Sequence, residues 1–257
     1  MIDPLDALTA QHAALDELLA SLDDQGWASP SRCEGWDVAD VVLHLVQTDE
    51  LALASVAGTF REGLEQMVVG LEPASDIDDG AGLLVARDRG IAPDVLFRRW
   101  QHTAANLRSS FAGIDPATRL QWVAGTLAAR TLITTRLTEA WIHTEDIAVP
   151  LGMPHDAGNR LWLVTRLAWR TIPYAFARSD ETLHGSVVFQ LTAPDGSTWE
   201  FPGSTEPPES SDRVTVVTGP AIDLCRVAGQ RLDASSSALE AAGPDADRVL
   251  ALIRTFA

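Results

Sequence analysis

Residues 136–148 read RLTEAWIHTEDIA, and this stretch decides the fold class. Glu139 and His143 are four positions apart in a segment with helical character. Side chains at i and i+4 share one helical face, so a carboxylate and an imidazole project together. Helical bundles hold metals in this way, with acidic and histidine ligands on facing helices. A second amphipathic segment, GWDVADVVLHLVQTDE, carries His44 as a third candidate ligand. Three protein ligands with one position left open is the pattern of a catalytic zinc-type site.

A helical wheel at about 100° per residue places Glu139 and His143 with Leu132 on the inner side. It assigns Thr134, Thr138 and Glu145 to solvent. Arg136 and Asp146 fall on the same inward stripe as the two candidate ligands. A buried carboxylate is costly without a partner. Two solutions stay open on spacing alone: a bound divalent cation, or an internal polar network built from Arg136 and Asp146. In the first, Asp146 would orient a ligand histidine. His44 has Val41, Thr48, Leu51 and Ser55 as wheel neighbours, at the margin of an apolar face. His12, His102, His155 and His184 read as surface or core-margin residues.

Working outward, residues 4–23 form a first predicted helix, with leucines at helical spacing. Asp37 caps a second, ending near Gly58, with Asp40 three residues on as a capping box. Residues 59–92 mix helical stretches with an acidic, Gly-containing loop. Pro93 suits the first turn of a third helix, and a fourth runs from about Leu127 to Ala148. A helix over 156–178, broken or kinked near Pro173, follows. Val187, Phe189 and Leu191 alternate with polar residues ahead of PDG and STWEF, the signature of a β-hairpin. A strand, RVTVVTG, leads into a helix over PAIDLCRVAGQR, and a last helix spans about 244–256. The expected architecture is mainly α: a four-helix bundle over 1–152, then a small α+β domain over 153–257.

Composition narrows the functional classes. A chain of 257 residues that is 46% hydrophobic can bury a core, and its net charge of -17 disfavours phosphate backbones. Nucleic acid is therefore not an expected partner, and no apolar run suggests a membrane span. No signal peptide is read at the N-terminus, and the two cysteines lack metal or redox spacing. Cys33 and Cys225 are expected to be reduced, structurally minor thiols in a cytoplasmic protein. Trp36, Trp100, Trp141 and Trp162 are expected to pack the core. No phosphate loop, dinucleotide motif or Gly-x-Ser-x-Gly elbow occurs.

The stretch WASPSRCEGWDVADVVLHL carries a more specific signal. Trp27, Pro30, Cys33, Gly35, Trp36, Asp37, Val38 and the pair His44-Leu45 resemble the entry to the second helix in the mycothiol-dependent maleylpyruvate isomerase-like family, within the DinB-like metalloprotein superfamily. LTEAWIHTEDIAVPLG resembles that family's second metal segment. VTVVTGPAIDLCRVAGQRLDA resembles its small C-terminal domain. The resemblance implies a DinB-like bundle holding one divalent metal, most simply zinc, on His44, Glu139 and His143. It also implies mycothiol or a similar low-molecular-weight thiol as cosubstrate, with isomerisation or thiol transfer on a small electrophilic substrate. Asp146 would then orient His143 or handle protons. Arg226 and Arg231 are the candidates for a basic residue that the second domain contributes. Two rival functions remain at this stage: hydrolysis by metal-bound water, with Asp146, Asp49 or Glu50 as base, and a non-catalytic metal-stabilised binding or stress-response protein. A homodimer is left open.

Overall fold

A computed structural model describes residues 2–123, 125–153, 155, 158–201 and 213–255. The chain divides into two compact units, residues 3–155 and the remainder from 156 on. Among the described residues no helix is long and apolar enough to cross a membrane.

In the first unit, α1 spans Pro4–Ala20, a single turn α2 Asp24–Trp27, and α3 Val38–Val56. Two shorter helices follow, α4 at Phe60–Met67 and α5 at Ile77–Asp88, then α6 at Pro93–Ala112. Strands β1 (Arg119–Trp122) and β2 (Gly125–Ala128) form an antiparallel ribbon that runs directly into α7, Ala129–Ala148. Helix α1 packs on α6 and α7, and α3 packs on the same two, so α1, α3, α6 and α7 close a four-helix ring. Helices α4 and α5 lean on α3. Leu15, Leu19, Val41, Val42, Val46, Leu96, Trp100 and Ile147 are buried together between these helices. Removing that apolar area from water is the main stabilising term.

The start of α3 follows from its sequence. Asp37 accepts from the Asp40 amide at 2.9 Å, and the Asp40 carboxylate accepts from the Asp37 amide at 3.2 Å. This reciprocal capping box satisfies two helix-end donors at once. Arg89, just past α5, donates to Asp40 at 3.0 Å and to the Gly35 carbonyl at 2.8 Å. The segment left ambiguous in the sequence thus clamps the entry to α3.

Helix α7 departs from the wheel reading. Thr138 and Glu145, assigned to solvent, are both 0% exposed, and Thr134 is 8% exposed. The wheel presumes one wet face, but α7 is flanked by α1, α3 and the ribbon. Its polar residues are satisfied inside the protein. The hydroxyls of Thr134, Thr135, Thr138 and Thr144 each donate to the carbonyl four residues back, at 2.6–3.0 Å. Gln11 donates to Thr144 at 2.9 Å, and His155 pairs with Glu145 at 2.6 Å. Buried polar groups are tolerated when bonded this way.

The second unit contains α8 (Leu161–Arg178), β3 (Ser186–Thr192), β4 (Thr198–Phe201), β5 (Val214–Pro220), α9 (Ala221–Ala228), β6 (Glu240–Ala242) and α10 (Ala246–Leu252). Residues 156 and 157 of the expected 156–178 helix lie outside the described residues. Helix α8 continues through Pro173 and is not broken there. The sheet order is β4-β3-β5-β6, with β3 and β5 parallel and the outer pairs antiparallel. Val187, Phe189 and Leu191 are buried on one face of β3, as their alternation requires.

Candidate metal centre

Helices α3 and α7 bring His44, Glu139 and His143 together. One carboxylate oxygen, Glu139 Oε2, lies 3.4 Å from His44 Nε2 and 3.6 Å from His143 Nε2. Ligand atoms about 2.0–2.1 Å from a tetrahedral zinc ion stand about 3.3 Å apart, so these separations fit the donor set around one ion. The three side chains are 12%, 8% and 9% exposed, which leaves the cluster nearly buried but not sealed from solvent. The His44 and His143 rings meet edge to face at 4.9 Å. Trp36 lies 5.3 Å from His44, so it borders the site as well as the core.

Asp146, one turn beyond His143, is fully buried and faces the other ring nitrogen, Nδ1, at 3.0 Å. A carboxylate here selects the tautomer with Nδ1–H donating and Nε2 free toward Glu139. Cys33 Sγ donates to the same Asp146 oxygen at 3.2 Å and stands 3.9 Å from His143 Nδ1. Its expected role as a minor thiol is therefore corrected: the 31–36 turn delivers it to the site. Cys225, by contrast, is fully buried and contacts Thr165 and the Leu161 carbonyl.

Charge is distributed unevenly over the cluster. Burial opposes the carboxylate of Glu139, yet His143, His44 and Arg136 outweigh it and hold its pKa well below the usual range. Burial likewise opposes a charge on His143, but Asp146, Cys33 and Glu139 raise its pKa well above normal. His44 moves the other way, lowered chiefly by burial despite its bond to Glu139. Burial and partners thus favour the charged form of His143 and the neutral form of His44 beside the carboxylate of Glu139. A cation fits where that proton would otherwise sit.

The alternative left open on spacing, a network joining Arg136 to Asp146, is not what the bonds of Arg136 build. Arg136 is instead buried against Asp49, Nε to Oδ1 at 2.9 Å, and donates to Thr48 Oγ1 at 2.7 Å. Thr48 in turn donates to the His44 carbonyl at 2.9 Å. The guanidinium carbon of Arg136 lies 5.9 Å over the Trp122 ring. Glu50 pairs with Arg99 at 2.8 Å. None of the three candidate ligands lines the cavities of about 280 and 310 Å³ found elsewhere among the described residues of the first unit. Arg226 sits half-buried in the last turn of α9, and Arg231 follows it, donating to the Gly229 carbonyl at 2.9 Å. Both belong to the second unit and the candidate ligands to the first.

A family model described as the mycothiol maleylpyruvate isomerase N-terminal domain matches residues 8–148, a span that contains every residue of the cluster. The chain belongs to this family. The sequence resemblance and the mainly helical, DinB-like fold expected from it are both correct. Two uncharacterized proteins of Mycobacterium tuberculosis are 32% identical over 97% of this chain and 93% of their own length. Two crystal structures of the mycothiol-dependent maleylpyruvate isomerase, one a histidine-to-alanine mutant, superpose with a TM-score of 0.60. They are 18% and 17% identical and cover 95% of this chain and 94% of theirs. At that identity the shared property is the fold. The family match covers the bundle, and the mixed sheet of the second unit lies beyond it.

Proposed function

We propose that this protein is a metal-dependent enzyme that uses a low-molecular-weight thiol, mycothiol or a close analogue, to isomerise a small electrophilic substrate or to transfer the thiol to it. One observation carries the reading: two imidazoles and a carboxylate from two helices bring their ligand atoms within 4.8 Å of one another inside the matched family segment. His44, Glu139 and His143 would hold the metal, and zinc suits two imidazoles and a carboxylate. When bound, a zinc-type ion lowers the pKa of a coordinated thiol and so makes the thiolate available near neutral pH. The substrate class follows from the maleylpyruvate for which the family and the isomerase of similar fold are named.

The protein's own residues then have separate tasks. Glu139 is a ligand and not a base, because both imidazoles face its Oε2. Asp146 fixes the His143 ring and keeps Nε2 lone-pair outward. Arg136 adds positive potential one turn before Glu139, on a side chain that is only 2% exposed. The thiol reaction needs a thiolate to form a C–S bond. In isomerisation that bond breaks again and the thiol is regenerated; in transfer a leaving group departs with the electron pair. Arg226 and Arg231 remain candidates for binding an anionic group of substrate or thiol.

Hydrolysis is less well supported. Attack by water wants a free general base, and the acidic candidates are engaged: Asp49 with Arg136, Glu50 with Arg99, and Asp146 with His143 and Cys33.

Metal analysis by mass spectrometry on wild type and His143→Ala tests the reading, with mycothiol added to cobalt-substituted protein. We expect close to one equivalent of metal in wild type and at least a tenfold drop in the variant. A thiolate-to-cobalt absorption band should appear on adding mycothiol. Metal without the band would leave water-based or structural use, and an absence of metal in wild type purified without chelator would sink the site.

A further inference from the structure

The thiol of Cys33 lies at the far end of a chain that runs into the candidate centre. The turn that carries it is tightly built. The Ser31 amide donates to the Trp36 carbonyl and the Trp36 amide to the Cys33 carbonyl, each at 3.0 Å, and Gly35 turns the backbone at φ +74°. The Arg32 amide donates to the Asp146 carbonyl at 3.0 Å, which pins the turn to the backbone of α7 at the residue in question. Sγ is thereby set 3.2 Å from Asp146 Oδ2, the oxygen that lies 3.0 Å from His143 Nδ1. Two donors meet one carboxylate oxygen. A carboxylate rotates about its terminal torsion with little intrinsic preference, so a second donor on Oδ2 narrows where the imidazole can find its acceptor. The ring orientation of His143, and with it the direction of Nε2 toward Glu139, depends on that oxygen.

We propose that Cys33 is a positioning residue for the candidate metal centre, holding Asp146 Oδ2 so that it fixes the ring and tautomer of His143. The thiol acts through Asp146 and does not touch the ion. Its position against α7, unlike that of Cys225, is shared between a main-chain pin and a side-chain bond to the same residue. The inference rests on the metal reading above, so its test includes a measurement on metal-free protein.

Cys33→Ala and Cys33→Ser are compared with wild type as full chains, after circular dichroism shows native helix content. The first readout is the water-exchange rate of the His143 Nδ1 proton by NMR in metal-free protein. The second is zinc affinity by competition with a chromophoric chelator. Removing an outer partner of a metal-bound histidine costs about 10–100-fold in affinity. We expect Cys33→Ala to exchange at least about tenfold faster and to bind zinc about tenfold more weakly, at the low end of that range. Serine keeps a donor, and Cys33→Ser should stay within about threefold of wild type in both readouts. Wild-type behaviour in Cys33→Ala overturns the proposal. Equal losses in both variants overturn it too, since sulfur packing and not the hydrogen bond would then be at work. If no form binds zinc while the exchange pattern holds, the positioning role of Cys33 stands and the metal reading falls.

Discussion

At the scale of single residues, the buried ion pair beside the candidate ligands makes a sharp demand. Arg136 and Asp49 are 2% and 3% exposed at their side chains. Taking either charge out of water is expensive, and removing one partner strands the other. We expect Asp49→Ala to destabilise the protein by about 3–5 kcal/mol in urea unfolding. Joint replacement by Asp49→Leu and Arg136→Met should cost less than either single change. A double variant as unstable as the sum of the two would mean the pair is not energetically coupled. The same stripe explains what could be read in advance. The Glu139–His143 spacing shows a shared helical face without any fold. His44 meets them only through a tertiary contact across 95 residues, so its amphipathic segment offers it as a third candidate and the family resemblance supplies the full ligand set. The sequence shows Cys33 as a motif residue and a minor thiol but not its place at the site, because its partner is 113 residues away and a lone cysteine has no periodicity. His12, expected at the surface or core margin, is 3% exposed, with its ring edge-on to Trp100 at 5.9 Å and its Nδ1 accepting from Arg108 at 2.9 Å.

At the scale of elements, local signals succeeded where the chain supplies its own stop and start. The Asp37–Asp40 box and Pro93 mark the beginnings of α3 and α6 correctly, because caps are short-range chemistry. The β1–β2 ribbon was missed, since strands of four residues give no usable alternation, and the Leu127–Ala128 end of β2 reads as helix. β6 is shorter still, and the parallel pairing of β3 with β5 depends on contacts no local pattern encodes. The α3 cap also bears on the site, as it sits one residue after Trp36 and seven before His44. Replacing Asp37 by Ala removes a reciprocal cap and should cost about 1 kcal/mol. Because the turn holding Cys33 ends at this cap, the variant should also speed amide exchange at Cys33 and Trp36. Protection there equal to wild type would show that the turn is held from α7 and not from α3.

For the whole molecule, charge and burial combine into a pH dependence. The acidic balance says nothing of where ionisable groups are trapped. His12 is such a group: burial first, then Arg108 and Arg136, lower its pKa from 6.5 to about 3. Arg108 donates to its Nδ1 at 2.9 Å, which requires the neutral ring. Between pH 6.5 and about 3 the unfolded chain takes up a proton that the folded one refuses. Unfolding free energy therefore rises with pH across that window. The contribution of His12 is fully present above 6.5 and is lost as pH falls toward about 3. The slope for one proton is about 1.4 kcal/mol per pH unit, so about 2 kcal/mol should disappear between pH 7 and pH 5. His143 contributes with the opposite sign, since its folded pKa is raised, so the wild-type profile alone does not isolate His12. The difference between wild type and His12→Gln does. Urea unfolding of both proteins from pH 5 to 7.5 should show the wild type losing stability more steeply toward acid than the variant. Parallel profiles would mean that the groove between α1 and α6 opens enough to let His12 take its proton in the folded state.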